Sequence, residues 1–357
     1  TLFRSVMGRR FARALEEDPD RDGGKADAQT SAVFVEDNIY AGERWIVTPG
    51  VRFDHHSQFG NNASPSLNVQ FALSDDLKLK GGVARAFKAP NLYQSNPNYL
   101  YYTMGFGCPD NFPSLGSGCY VLGNADLDAE TSLNKEIGIE WAPVSGHHAS
   151  LTYFHNDYKD KVVSGFIPVG QTPGVPGAQP VPPARIFQWE NAPEAVVSGL
   201  EGNITIPLIG ERGNVLTWNN NVTYMIENEN TVTGQPLSVI PEYTVNTSLD
   251  WQATDALSLL LTGTFYGRQE PATRDINNDD RCDEAGADCV AVRQVRDPYT
   301  IWGIGARYRI TPTVSLGGGV NNLLDKRLFR ESNSQYAGAA TYNEPGRSYY
   351  VSMNIGF

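Results

Sequence analysis

The stretch SYYVSMNIGF, residues 348–357, alternates without a break. In an extended strand Tyr349, Val351, Met353, Ile355 and Phe357 point one way, and Ser348, Tyr350, Ser352, Asn354 and Gly356 the other. A strand at a chain end frays unless neighbours hold it, so pairing on both of its edges is expected. This segment alone suits a soluble sandwich as well as a membrane barrel, and the rest of the chain discriminates between them.

The same period of two recurs upstream. In WIVTPGVRF, Trp45, Val47, Pro49, Val51 and Phe53 share one face; in SLNVQFAL, Leu67, Val69, Phe71 and Leu73 do so. EIGIEW sets Ile137, Ile139 and Trp141 against Glu136, Gly138 and Glu140. YTVNTSLDW and IWGIGARYRI repeat the pattern through Tyr243, Val245, Leu249 and Trp251, and through Trp302, Ile304, Tyr308 and Ile310. Counted this way the chain holds roughly thirteen strands of about nine or more residues. The only helical candidate is FARALEED, near the start. The fold class is therefore all-β.

The connections sharpen this reading. Short turns are expected near 41–43, 74–76, 142–147, 209–213, 253–255 and 311–313, and longer connections near 55–63, 88–133, 158–184, 227–239, 268–297 and 324–343. Alternating short and long connections put tight turns at one end and loops at the other, the layout of a transmembrane antiparallel β-barrel. One face of the strands is apolar and rich in Trp, Tyr and Phe, as an aromatic girdle requires. The opposite face carries Lys78, Lys80, Glu136, Glu140, Asp250, Arg307 and Arg309. In a soluble sandwich the aromatic face would meet water, a costly exposed patch.

The net charge of −12 excludes a nucleic-acid partner of the ordinary basic-patch kind. The four cysteines form two close pairs, Cys108 with Cys119 and Cys282 with Cys289, in loop-like text without zinc spacing. Two local disulfides in an oxidising compartment are expected. The five histidines make no chelating motif, and neither a nucleophile elbow nor a zinc-protease motif is found. An enzyme is not expected, nor a cofactor. Asp275, Asn277, Asp279 and Asp283 have part of the spacing of a calcium loop, but Asp280 and Gly286 stand where its glycine and glutamate belong. An acidic, solvated loop tip is the expected reading, with a calcium site or cation bridging of lipopolysaccharide as the alternative.

Residues 85–141 carry a resemblance. RAFKAPNLYQSNPNYLYY, GCPDNFPSLGSGCY and LGNADLDAETSLNKEIGIEW resemble TonB-dependent outer-membrane siderophore receptors, and NLYQSNPNY with the short cysteine loop looks most like the ferric enterobactin branch. WENAPEAVVSGLEG, PLSVIPEYTVNTSLDW, VNNLLDKRLFR and the closing GRSYYVSMNIGF extend the similarity from about Ser31 to the end. The resemblance implies a barrel of about 22 strands, plugged by an N-terminal domain, in the bacterial outer membrane. It implies TonB-coupled import of a ferric siderophore, most closely ferric enterobactin or a related catecholate. Another siderophore, cobalamin or a passive porin role are the alternatives. The chain starts at Thr1 without a signal peptide, plug or TonB-contacting motif. It is therefore expected to be a C-terminal portion with roughly thirteen of the strands, residues 28–357, preceded by an extracellular loop over 1–27. An open, strongly curved sheet is expected of it. The implied partners are the siderophore, the TonB complex, outer-membrane lipid and lipopolysaccharide, and phage or bacteriocins that use such receptors as entry ports.

A ferric catecholate is bulky, anionic and aromatic, so its receptor needs cations and aromatic faces. The candidates are Lys88, Tyr93, Tyr99, Tyr101, Tyr102 and Phe106 in the first long loop, and Arg185, Arg274, Arg293 and Arg330 in later ones. A Cys108–Cys119 bridge would stiffen the first loop and lower its entropy cost on binding.

Overall fold

The computed structural model describes residues 27–102, 119–165, 168–172, 184–231, 234–237, 240–270, 295–329 and 342–356. Thirteen strands form a continuous antiparallel meander: β1 (Thr30–Glu36, resumed at Ile39–Ala41), β2 (Trp45–His56), β3 (Gly60–Ala72), β4 (Leu77–Lys88) and β5 (Glu130–Trp141). It continues with β6 (His148–Ser164), β7 (Arg185–Ile209), β8 (Leu216–Asn230), β9 (Tyr243–Gln252), β10 (Leu257–Tyr266), β11 (Tyr299–Arg309), β12 (Val314–Asn321) and β13 (Ser348–Ile355). Each pairs with its predecessor and successor in sequence.

The register keeps the apolar positions on one face. Directly opposed residues share a face, so one row can be followed through Ala41, Trp45, Phe71, Leu79, Ile139, Leu151, Gly202, Val222, Val245 and Phe265. A second runs through Ile206, Trp218, Leu249, Leu261, Ile304, Val320 and Tyr349. A one-residue slip anywhere would reverse a whole strand, so these rows fix the register. Val351 is 86% exposed and Phe34 75%. Large apolar side chains so exposed along every strand belong in hydrocarbon, where sheets must leave no backbone group unpaired. Trp45, Trp141, Trp251 and Tyr308 stand near the short-turn ends of their strands and supply the interfacial girdle there.

The opposite face is a polar lattice. Asn203 donates to Ser150, Thr205 to Asn219, Asn219 to Asp250 and Thr264 to Asn246. Lys80 pairs with Glu140. Each hydroxyl and amide finds its partner on the neighbouring strand, which suits a watery lumen rather than a dry core.

Two expectations are corrected. The connection near 55–63 is a tight turn, because β2 and β3 run on to His56 and Gly60, which pair directly. Gly60 takes φ +72, and buried His56 accepts the Gln58 and Phe59 amides on Nδ1. The local turn chemistry outweighs the polar composition that looked like a loop. The five remaining long connections, 89–129, 165–184, 231–242, 267–298 and 322–347, leave the same end of the sheet. The closing strand is paired on one edge only among the described residues, to β12. It and β1 are the two edges of an unclosed sheet, as expected of a partial wall, and no strand that would close it is described. Phe357 and residues 1–26 lie outside the described residues, as does the helical turn expected there.

Candidate ligand-binding loop assembly

Among the described residues, the few buried apolar side chains do not lie in the transmembrane band. Cys119, Val121, Leu127, Ala184, Phe187, Ala192 and Ala195 are the buried ones, with Val162. All sit at the long-loop end, where they make a small core above the wall. Strand β7 makes this possible. Over 25 residues it runs up through the wall and beyond it. Its outer end, Ile186–Gln188, pairs in parallel with Tyr120–Leu122. That segment pairs with Leu100–Tyr102, and Gly170–Gln171 joins β7 on the other side.

Side chains lock this loop sheet to the wall. Asn191 is the central pin: its amide nitrogen donates to the carbonyls of Asp128 (3.0 Å) and Asp160 (2.6 Å), and its oxygen accepts the Asp128 N–H (2.8 Å). Asn124 donates to the Trp189 carbonyl, and Gln188 to that of Gly123. Glu130 accepts the Val162 amide and binds Lys88 at 3.0 Å. Removing Asn191 leaves these groups unsatisfied, at about 1–3 kcal/mol. Asn191→Ala is expected to speed amide hydrogen exchange across 120–128 and 186–190 while leaving β9 to β12 protected. Unchanged exchange in the loop sheet would show that Asn191 is not the pin.

The first long loop turns through α1 (Leu92–Ser95), where Gln94 caps the Asn91 amide with its side chain at 2.8 Å. This places Tyr93 against Tyr99, with ring centres 6.3 Å apart, and edge-on to Trp189 at 6.0 Å. Tyr102 and Tyr120 pack at 5.0 Å. Burial, and then the Tyr102 hydroxyl beside it, raises the Tyr120 phenol above its ordinary value, so it stays a neutral donor at neutral pH. Tyr93, Tyr99 and Tyr101 are each more than two-fifths exposed. Arg185 opens β7, half-buried opposite Gln171. On the last connection, half-buried Asp325 accepts the Arg347 amide at 2.8 Å and faces Arg327, which together hold its carboxyl below the usual range.

The structure thus brings Tyr93, Tyr99, Tyr101, Tyr102 and Arg185 to one loop assembly and holds Lys88 in an ion pair at its base. Trp189 and Tyr120 are its members that the sequence reading did not single out; the signal for Trp189 was its place in WENAP, inside a stretch already marked by resemblance. Phe106, Arg274, Arg293 and Arg330 lie outside the described residues, as do Cys108, Cys282, Cys289, Asp275, Asn277, Asp279 and Asp283. Cys119 is buried at the foot of the loop. No group of three or more metal-ligating side chains is found among the described residues.

A meander with an outward apolar band, a polar inner lattice and its longer connections at one end is the wall of an outer-membrane β-barrel. Residues 7–323 match the family profile described as TonB dependent receptor-like, beta-barrel. The chain belongs to that family, whose barrels lie in the bacterial outer membrane. It is 51% identical over 333 residues to the ferric enterobactin receptor PirA of Pseudomonas aeruginosa, covering 93% of this chain and 42% of that protein. It is 45% identical over 342 residues to the ferrienterobactin receptor of Escherichia coli K12, covering 92% and 43%. The crystal structure of a P. aeruginosa ferric enterobactin receptor mutant in complex with enterobactin superposes with TM-score 0.74 at 48% identity, covering 92% of this chain and 46% of that one. The chain spans under half the length of these relatives.

Proposed function

We propose that the intact protein is a receptor importing a ferric siderophore, ferric enterobactin or a related catecholate, by TonB-coupled transport. The observation that carries this reading is the aromatic loop assembly, on a chain 45–51% identical to receptors named for ferric enterobactin. In this reading 28–357 is the C-terminal part of the barrel wall and 1–27 an extracellular loop. Tyr93, Tyr99, Tyr101, Tyr102 and Trp189 offer π-faces to the catecholate rings. Arg185, with Arg274, Arg293 and Arg330 from other loops, answers the complex's negative charge. Cys119 closes the first loop by a bridge to Cys108, which peptide mapping without reduction would reveal as a linked pair.

What this chain supplies is binding and orientation, and nothing in the proposed function requires bond chemistry. The test is uptake of radiolabelled ferric enterobactin by an iron-starved strain that lacks its own catecholate receptors and carries the full-length gene. Uptake that disappears when the TonB partner is removed is the expected result. No uptake, from a receptor verified in the outer membrane, would reject this ligand and direct the same assay to other siderophores and cobalamin.

A further inference from the structure

The strands of the wall match the cations of their lumen face with carboxylates, except at one place among the described residues. Arg52 binds Asp54 at 2.9 Å, Lys80 pairs with Glu140 and Lys88 binds Glu130 at 3.0 Å. Lys78 stands directly opposite Glu140. Arg307 and Arg309, both exposed on the lumen face of β11, have no carboxylate partner among the described residues. Two residues apart on one strand, they point the same way with backbones about 7 Å apart. Arg309 donates to the backbone carbonyl of Asp255, and Arg307 to no described residue. Across the ladder Arg307 is flanked by Ser258 and Gly317, and Arg309 faces Ser315, all too small to cover a guanidinium.

The two guanidiniums line a cavity of about 270 Å³ at the short-turn end of the wall, bounded below by the turn Thr311–Val314. Gln252, Ser258, Ser315 and Asn354 complete it with neutral polar groups. Asp255, the acidic residue at its edge, offers Arg309 its carbonyl and makes no ion pair with either arginine. The cavity therefore carries two uncompensated positive charges, on a chain whose net charge is −12.

We propose that Arg307 and Arg309 form an exit-side anion site, which holds the anionic cargo as it leaves the lumen. This rests on the siderophore reading above. In barrels of this kind the long loops face outward and the short turns face the periplasm, so the pair lies at the opposite end of the wall from Tyr93 and Trp189. An anionic complex crossing an acidic barrel is repelled along its way. Two guanidiniums that stay charged at any physiological pH, with no neighbour neutralising them, lower that barrier at the mouth. The cavity lies below the size of sites that enclose a drug-sized ligand. It admits one catecholate ring rather than the whole complex, which suits a contact made in passing.

The test measures surface binding and uptake of radiolabelled ferric enterobactin separately, with the full-length receptor in an iron-starved strain that lacks its own catecholate receptors. On cells without the TonB partner, Arg307→Gln/Arg309→Gln is expected to bind with the parent's affinity. On cells that have the partner it should import about tenfold more slowly, the low end of electrostatic steering effects. Arg307→Lys/Arg309→Lys keeps both charges and should restore most of the rate. Arg307→Gln alone, which breaks no bond to a described residue, keeps the test decisive if the double variant does not assemble. Parent-like uptake by a glutamine variant present in the outer membrane at the parent's level would overturn the site. So would a loss of surface affinity, which would place the pair in capture or folding. Carbodiimide coupling of the introduced lysine amines to an acidic side chain elsewhere in the receptor would also overturn it, by making the pair half of an internal ion pair. A parent that imports no ferric enterobactin would overturn the siderophore reading and this site together, whereas a glutamine variant as fast as an importing parent would overturn this site alone.

Discussion

Replacing Tyr93 and Trp189 together by alanine is expected to weaken binding of ferric enterobactin to the full-length receptor about thirtyfold, roughly 2 kcal/mol, while leaving the barrel intact. The two rings touch edge to face at 6.0 Å and come from different connections, one from the first long loop and one from the top of β7. Each supports the other's placement, so the single variants should together lose more than the double. The measurement is a titration of ligand-induced fluorescence quenching on purified receptor. Tyr→Phe at 93 separates the contributions: the ring remains and only the hydroxyl's bond from the Asn91 side-chain Nδ2 is lost, so binding should fall by less than threefold, within one modest hydrogen bond. Parent-like affinity in the double variant would remove this aromatic pair from the binding surface.

The second large effect concerns the wall. Leu261 lies in the middle of an outward row between Leu249 and Ile304. Leu261→Arg puts a guanidinium into the hydrocarbon and should destabilise the folded barrel by about 2–4 kcal/mol. Asn221, on the polar face between Asn203 and Asn246, is the control. Asn221→Lys adds the same charge to a wet lattice and should change stability by less than about 1 kcal/mol. Reversible urea unfolding of the full-length receptor in lipid vesicles compares the two. Equal losses would mean that the two faces have been assigned wrongly.

The wall was legible because its physics is local. A strand that faces hydrocarbon on one side and water on the other must alternate, so Trp45 to Phe53 and Tyr243 to Trp251 declare their faces without any knowledge of their neighbours. The register followed, since only one pairing keeps Ile139 beside Leu79 and Leu151. The turn at 57–59 escaped because His56, Asn61 and Asn62 read as loop text, whereas Gly60 with its positive φ and His56 with its backbone bonds build a tight reversal. The loop assembly was legible only as an inventory of tyrosines. Its geometry depends on Tyr120–Leu122 finding Ile186–Gln188 more than sixty residues away in parallel register, and no periodicity announces such a contact. The residues marked by family resemblance near 124–130 prove to be fasteners here. Asn124 holds the Trp189 carbonyl, Leu127 is buried and Glu130 holds Lys88 and the Val162 amide.

The length of β7 has a mechanical consequence. The strand belongs to the wall for most of its course and to the loop sheet at its tip, with no break between Arg185 and Ile209. A hinge at that junction would have to tear ladder bonds to β6 on one side or to Tyr120–Leu122 on the other. The loop sheet is therefore cantilevered from the barrel rather than tethered to it, and it moves as the wall moves. Under the proposed function, a ligand arriving at Tyr93 and Trp189 would meet backbone that is already in position, so the ordering left to be done on capture would fall chiefly on side chains.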